Sequence, residues 1–279
     1  MSILDYKIDF AVVFSVKNAN PNGDPLNGNR PRQNFEGYGE VSDVCLKRKI
    51  RNRLQDKGEP IFVQSDERKN DDFKSLKERA DSVTELKKTK DKDEYHDIAC
   101  KTWTDVRTFG QVFAFKGDSS TSVGVRGPVS IHPAVSLHPV DISSIQITKS
   151  VNSTTSNKKS SDTMGTKHRV DFGVYVFYGS INTQLAEKTK FTKDDADKIK
   201  DALCTLFEND ASSARPDGSM EIHNVYWWEH NSKLGQYSSG KVHRSLSLKL
   251  KNDEPKSYDD IIIKLNKLEG LDVKVYEGK

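Results

Sequence analysis

IDFAVVFSVKNANPNGDPLNGNRPRQNFEGYGEVSDVCLKRKIRNRLQDKG, residues 8–58, is the stretch of this chain that decides its fold. Every second residue from Ile8 to Val16 is apolar. This alternation predicts a β-strand with one buried face. Residues 18–40 are dense in Asn, Gly and Pro, so they predict a long loop. Loops of this length without regular structure tend to be functional or disordered.

A helix of about four turns is predicted to follow this loop. It begins after Ser42 and ends at Gly58, because serine is a favoured N-cap and glycine a favoured residue just past a helix end. Its apolar residues recur at every fourth position and form the stripe Leu46, Ile50 and Leu54. The helix is therefore expected to pack this stripe against the strand.

The rest of the chain alternates between polar and apolar segments. Residues 64–97 are heavily charged and predict a mostly exposed insertion, helical or mobile, whereas residues 98–115 are apolar enough to dock on the core. The other predicted elements are an extended segment at 126–148, a polar excursion at 150–163, a strand at 168–182, a helix capped by Thr192, a strand at 220–230, a strand at 243–250, a helix at 257–268 and a short strand at 271–276.

This order of elements matches a split βαβ, ferredoxin-like core with long insertions. RNA-recognition domains share that core. The predicted fold class is therefore α+β, a ferredoxin-like and RNA-recognition-motif-like core that carries insertions. A fold of this kind does not by itself specify a function.

Composition excludes some classes of protein and leaves nucleic-acid binding open. The 44 basic and 41 acidic residues give a formal net charge of only +3, so local clusters of charge have to carry any argument for nucleic acid. Cys45, Cys100 and Cys204 lie far apart without a CxxC pair, which argues against a disulfide framework and a structural zinc site. No segment resembles a signal peptide or approaches the ~20 apolar residues of a membrane span. We therefore expect a soluble, cytoplasmic protein without membrane contact, metal or cofactor.

The predicted helix carries the strongest basic cluster. Between residues 47 and 57 there are six Lys or Arg residues and one acid. Lys47, Arg48 and Arg51 lie together beside the apolar stripe at 100° per residue, where they can neutralise phosphates. A solvated helix face would have the same composition. Further groups suited to sugar and phosphate are Arg30, Arg32, the loop asparagines Asn18, Asn20 and Asn22, and Ser42 at the helix start.

The polar excursion offers a second hypothesis. A β-hairpin tip with one flexible apolar residue, Met164, can wedge between bases. Lys158, Lys159, Lys167 and Arg169 would then hold the adjacent backbone. The alternative is a disordered loop in which the methionine has no such role.

Catalytic signatures are sparse. The sequence contains no HExxH, no GxSxG and no P-loop. Asp24 is the one acid that an RNA-cleaving loop would use, although a lone loop Asp is more often a turn residue. A third class, a guide-independent single-strand-binding protein, stacks bases on exposed aromatic side chains. The candidates Tyr226, Trp227 and Trp228 lie in an apolar strand and suit a core or an interface better.

Several segments resemble one known family in a consistent order. NANPNGDPLNGNRPR followed by VSDVCLKRKIR resembles the amino-terminal signature of the backbone subunits of type I CRISPR complexes, the Cas7 family. RTFGQVF, VRGPVSIHPAVS, GTKHRVDFGVYVFYGSIN and SSARPDGS are similar to its type I-C branch. The resemblance covers nearly the whole chain.

The resemblance implies a hand-like fold: one palm-centred domain over residues 1–279, a finger-type insertion at 59–110 and a thumb hairpin at 148–168. Copies would polymerise along a guide (CRISPR) RNA, and each thumb would displace one nucleotide at regular intervals. The bases between them would pair with target DNA in antiviral defence. Related type III subunits cut RNA with a loop Asp comparable to Asp24, whereas type I subunits are not expected to be enzymes.

The implied partners are the crRNA, the target DNA strand, other copies of the chain, the large subunit of the Cascade complex and the subunit that caps the 5′ end of the guide. Ser42, Lys47, Arg48 and Arg51 match the phosphate-contacting helix of the family, and Met164 is the candidate wedge. The expected RNA-binding residues are Asn18, Asn20, Asn22, Arg30, Arg32, Ser42, Lys47, Arg48, Arg51, Arg126, Met164, Lys167, Arg169 and Arg215.

Overall fold

The computed structural model describes residues 2–115, 122–148 and 164–279. The strands are β1 (Ile8–Ala19), β2 (Gly23–Asp24), β3 (Arg30–Pro31), β4 (Tyr38–Val41), β5 (Gly110–Phe113), β6 (Val123–Arg126), β7 (Val129–Ile131), β8 (Ala134–Pro139), β9 (Ile142–Thr148), β10 (Met164–Ile181), β11 (Met220–Glu229), β12 (Leu246–Leu250), β13 (Ile261–Leu265) and β14 (Val273–Glu277). The helices are α1 (Asp43–Asp56), α2 (Leu76–Asp81), α3 (Thr84–Lys88), α4 (Lys92–Thr102), α5 (Thr104–Phe109), α6 (Thr183–Thr189), α7 (Lys193–Cys204) and α8 (Ser239–His243), with 3₁₀ turns at Pro25–Asn27 and Tyr258–Asp260.

A large antiparallel sheet organises the molecule. Its strand order is β14-β11-β1-β10-β8-β4, and β7 and β9 pair with other parts of the long β10. The strand predicted from the alternation at residues 8–16 is β1, which lies between β10 and β11. The fold is thus a mixed α+β architecture, as the sequence predicts.

The alternating apolar side chains of β1 fill the core on one face of this sheet. Phe10 stacks on Trp227 with ring centroids 5.6 Å apart, and Phe14 stacks on Tyr175 at 5.2 Å. The apolar stripe of α1 and the apolar residues of α7 cover the same face and share the same cluster of buried residues. Ser42 and Thr192 cap these two helices as predicted. Burial of large side chains at about 25 cal/mol per Å² makes this face the main source of stability.

The carboxyl-terminal segment covers the opposite face. Ala11, Val13 and Trp228 lie beneath α8 and the β12–β13 hairpin. The helix predicted at 257–268 is wrong, because the chain forms one 3₁₀ turn and then β13, which pairs with β12. Three consecutive β-branched residues, Ile261–Ile263, explain the difference, since they favour a pleated strand over a helix.

The segment between α1 and β7 builds a core of its own. We call the buried residues between Phe62 and Val125, centred on Trp103 and Phe113, the insertion cluster. The expected helical character of residues 64–97 is confirmed by α2, α3 and the start of α4. Residues 98–115, expected to dock on the main core, contribute mostly to the insertion cluster instead. No helix of the described residues is both long and apolar enough to cross a membrane.

Candidate nucleic-acid interface

A surface cleft of about 310 Å³ brings together three segments that are far apart in sequence. The first is the loop after β1, the second is the ribbon of β9 and the start of β10, and the third is the loop before β11. The residues that line the cleft are Asn18, Asn20, Gly28, Asn29, Ile145, Thr166, Lys167, His168, Arg169, Ser213, Ala214 and Pro216. Four of the expected RNA-binding residues, Asn18, Asn20, Lys167 and Arg169, are among them.

The asparagines give the cleft its floor. Asn18 adopts a left-handed conformation with φ of 55° one residue before the end of β1. The buried Asn20 donates from Nδ2 to the carbonyl oxygen of Asn29 at 2.7 Å, and its backbone N–H donates to Ala214 O at 2.9 Å. Asn20 therefore joins two of the three segments.

Arg30 joins the loop to the second wall of the cleft, the β9–β10 ribbon. Its Nη1 donates to Ser144 Oγ at 3.1 Å and lies 3.4 Å from His168 Nδ1. Since Ser144 and His168 are cross-strand partners in the β9–β10 ribbon, Arg30 fixes the hairpin of β2 and β3 against this ribbon. Its guanidinium stays at the surface, where its other N–H groups can meet an anion.

The ribbon presents two different faces. Lys167 pairs with Ile145, and Met164 pairs with Thr148. Because side chains alternate along a strand, Lys167 and Met164 point to opposite faces. Lys167 is exposed beside the cleft, and Met164, 61 % exposed, accepts a hydrogen bond on Sδ from Gln146 Nε2 at 2.9 Å. Lys158 and Lys159 lie outside the described residues.

Asn22 and Ser42 are joined to each other. Asn22 Oδ1 accepts hydrogen bonds from Ser42 N at 3.0 Å and from Ser42 Oγ at 2.9 Å. Ser42 Oγ in turn accepts from Cys45 N at 3.2 Å. These bonds fasten the long loop to the first turn of α1 and occupy groups that the sequence offers to an anion.

The three α1 cations expected to contact phosphate all have partners within the chain. Lys47 Nζ lies 3.0 Å from Asp43 Oδ2. Arg48 Nη1 donates to Val63 O, and Arg51 Nε donates to Asp105 Oδ2 at 2.9 Å. Asp105, 1 % exposed at its side chain, also accepts from the backbone N–H groups of Phe62 and Val63. Arg48 and Arg51 therefore dock the insertion cluster onto α1.

One inward cation, Lys49, was missed by the sequence analysis. Lys49, 4 % exposed, pairs with Asp210, and Arg215 Nε donates to the same carboxylate at 3.2 Å. Burial lowers the pKa of Lys49, and Asp210 opposes this effect. The pairing holds the loop that forms the third wall of the cleft. Only the position of Lys49 near the buried stripe signals that it points inward.

The remaining expected residues divide between the cleft and other places. Arg215 lies between two residues that line the cleft, Ala214 and Pro216. Arg126 lies on β6, which pairs with β5 beside the insertion cluster. Arg32 Nη2 lies 3.4 Å from Asp24 Oδ1.

Asp24 forms a turn within the loop. Its Oδ1 accepts from Leu26 N at 3.2 Å, which caps the 3₁₀ turn, and also faces Arg32. Within the described residues, no group of three or more His, Cys, Asp or Glu side chains is placed to hold a metal ion. The geometry of Asp24 is that of an N-cap and ion-pair residue.

Comparison with known proteins identifies the family of the chain. The model of the family of CRISPR-associated protein Cas7 matches residues 6–266. The chain belongs to the Cas7 family. A CRISPR-associated protein Cas7 from Haloferax volcanii is 26 % identical over 274 residues, covering 92 % of this chain and 79 % of the relative. The family match confirms the expected role as a crRNA-binding backbone subunit.

Two solved structures are also similar. A chain of a CRISPR RNA-guided surveillance complex in a pre-nicking state is 14 % identical with a TM-score of 0.49, covering 80 % of this chain and 78 % of that chain. A chain of another CRISPR RNA-guided surveillance complex is 15 % identical with a TM-score of 0.46, covering 80 % of this chain and 68 % of that chain. The family assignment rests on the sequence match.

Proposed function

We propose that the cleft between the loop after β1, the β9–β10 ribbon and the loop before β11 holds the sugar-phosphate backbone of the guide RNA. The observation that carries this proposal is the convergence of Lys167 and Arg169 with the two asparagines of the cleft floor, next to Arg30 at the adjoining ribbon. Basic and amide side chains bind phosphate and sugar without reading sequence. That chemistry suits a subunit in which base pairing supplies the specificity.

The proposal extends to the parts of the fold and to the partners of the chain. The strand order β11-β1-β10-β8, with α1 after β1 and α7 after β10, supports an RNA-recognition-motif-like palm. On this reading residues 59–110 are the finger, residues 148–168 are the thumb, and the chain is of the type I-C branch. Copies associate head to tail along the crRNA. The other partners are the target DNA strand, the large subunit and the subunit that caps the 5′ end of the guide, in the cytoplasm.

The direct test of the cleft is the salt dependence of RNA binding. Lys167→Ala removes one cation, so the slope of log K against log salt should fall by about 0.7. Lys264→Ala is the matched control, because Lys264 is an exposed lysine on another two-stranded ribbon, β12–β13. An unchanged slope for Lys167→Ala, or an equal change for both variants, would exclude the cleft as the RNA site.

We propose further that the chain has no catalytic activity of its own. The engagement of Asp24 with Leu26 N and Arg32 supports a structural role. RNA incubated with the protein and a divalent metal should remain intact, and Asp24→Ala should behave in the same way. Cleavage that Asp24→Ala abolishes would establish the enzyme alternative.

The thumb assignment has its own test. If Met164 is a wedge, Met164→Gly should leave RNA affinity unchanged, because phosphate contacts do not involve it. Chemical probing should then show fewer nucleotides flipped out at regular intervals along the guide. An unaltered probing pattern would remove Met164 from this role.

A further inference from the structure

An exposed aromatic side chain stands at the tip of the turn between β3 and β4. Phe35 is fully exposed, although its turn is tightly held. Asn34 Oδ1 accepts from Glu36 N at 3.0 Å and from Tyr38 N at 2.9 Å. Gln33 Nε2 donates to Gly37 O at 3.1 Å and to Val140 O at 2.8 Å. The chain thus holds the backbone of the turn in place while the large apolar ring lies in water, with the exposed carboxylate of Glu36 beside it.

The insertion cluster contains a cavity with an apolar floor and a mostly basic edge. Its volume is about 380 Å³. Leu86, Phe113 and Val123 contribute an apolar floor. Lys87, Lys90 and Lys92 line its edge and are exposed. The lining includes four lysines and two aspartates, so the edge is basic.

The Phe35 turn and the cavity of the insertion cluster are complementary in polarity and in charge. An apolar ring suits the apolar floor of the cavity, and a carboxylate beside that ring suits its lysine edge. Nucleic acid fits the Phe35 turn less well, because Glu36 would repel a phosphate. A protein surface with an apolar floor and exposed lysines at its edge suits this turn better than nucleic acid does.

The two features are attached at different positions along β10. Gln33 anchors the turn to Val140, and Val140 packs against Gly173 of β10. The insertion joins the sheet at β7, which pairs with β10 at Gly179–Ile181 and packs beside α5. Gly173 and Ile181 lie about 26 Å apart along the strand at ~3.3 Å per residue. Phe35 is fully exposed and its turn is held by the bonds of Gln33 to Gly37 O and Val140 O, so the ring does not occupy the cavity of its own chain.

We propose that the Phe35 turn of one copy of this chain inserts into the insertion-cluster cavity of the next copy. Phe35 packs on the apolar floor, and Glu36 pairs with the edge lysines. Because the two surfaces differ and lie apart, the contact is heterologous and generates an open array. This inference rests on the proposed function in one respect, namely that copies associate along one RNA.

The experiment compares RNA of one binding site with RNA of several sites. Phe35→Ala should leave affinity for one-site RNA within about twofold of wild type, because Phe35 lies outside the cleft. Its binding to the longer RNA should lose cooperativity, with a midpoint shifted by about tenfold or more. Leu26→Ala is the matched control, because Leu26 is almost fully exposed on the same loop. Wild-type cooperativity in Phe35→Ala, or an equal loss in Leu26→Ala, would overturn the proposal.

A charge exchange tests the partner surface. Glu36→Lys alone, and Lys87→Glu with Lys90→Glu, should each weaken cooperative binding. All three substitutions in one chain should restore it, because the opposite charges again face each other. A combined variant no better than the single variants would overturn the proposed pairing. Neither result depends on the affinity for one-site RNA. That affinity, measured with Lys167→Ala, tests the cleft separately.

Discussion

The basic face of α1 and the basic wall of the cleft look alike in sequence and differ in structure. On α1, Arg48 and Arg51 point into the protein and bind Val63 O and Asp105. In the cleft, Lys167 is exposed. A cluster of basic residues therefore reports the number of charges, but not which of them are already neutralised within the fold. Removing a charged side chain should lower the free energy of unfolding by much where the charge is buried and paired, as on α1, and by little where it is exposed, as in the cleft.

The largest effect is expected where the insertion cluster meets α1. Asp105→Ala removes a buried carboxylate that accepts from Arg51 Nε at 2.9 Å, Phe62 N at 2.7 Å and Val63 N at 3.1 Å. Loss of one partner of a buried ion pair leaves the other charge uncompensated, so the free energy of unfolding should fall by about 3–5 kcal/mol. Urea unfolding measures this change.

The control for Asp105→Ala is Asp43→Ala, which removes a half-buried carboxylate that pairs with another cation of α1. Asp43 pairs only with Lys47 at i,i+4 among the ion pairs seen in the described residues, and such a pair contributes about 0.3–0.5 kcal/mol. If the two variants lose similar stability, Arg51 is not an inward residue and the contrast with the cleft disappears.

A second, intermediate effect concerns the ion pair that joins α5 to α7. Burial raises the pKa of Asp195, but Arg107 and the cap residue Thr192 lower it more, so its pKa in the folded protein lies below its ordinary value of 3.8. A carboxyl group with a lowered pKa in the folded state stabilises the fold above its ordinary pKa. This stabilisation is lost as the pH falls through the folded-state pKa.

We therefore expect Asp195→Asn to lower the free energy of unfolding by about 1–3 kcal/mol at pH 6. Its further loss of stability between pH 6 and pH 3 should be smaller than that of wild type. Asp197→Asn is the control, because Asp197 is an exposed carboxylate on the same helix. Parallel acid curves for wild type and Asp195→Asn would contradict this account.

The same contrast shows what the sequence can predict. The strand from Ile8, the cap at Ser42 and the cap at Thr192 depend on neighbouring residues, so local pattern is enough. At Ile261–Leu265 the local signals conflict, because the apolar spacing predicts a helix and the three β-branched residues favour a strand, and pairing with β12 accompanies the strand. The local sequence pattern therefore predicts most helices and strands, but not which strands pair with each other.

In the candidate site, too, local pattern predicts the residue types but not their distant partners. The sequence identifies asparagine and basic side chains that suit RNA, but the cleft depends on contacts between distant segments. Asn20 meets Ala214, and Arg30 meets Ser144 and His168, across more than a hundred residues in each case. The inward direction of Arg51 depends on Asp105, 54 residues away. No local pattern contains these partners.

The smallest expected effect separates Lys47 from its neighbour Arg48. Lys47 is paired only to the half-buried carboxylate of Asp43 at i,i+4 in the described structure, so Lys47→Ala should change the free energy of unfolding by about 0.5 kcal/mol or less. Its ammonium can exchange Asp43 for a phosphate, as the family's phosphate-contacting helix implies. The salt slope of RNA binding should therefore fall by about 0.7.

Arg48→Ala should do the reverse, lowering stability and leaving the slope unchanged, because its guanidinium is held by Val63 O. Asp43→Ala, which frees the ammonium, should keep or strengthen RNA binding. A slope that falls for Arg48→Ala and not for Lys47→Ala would show that RNA uses Arg48, and the assignment of Arg48 as an inward cation would be wrong.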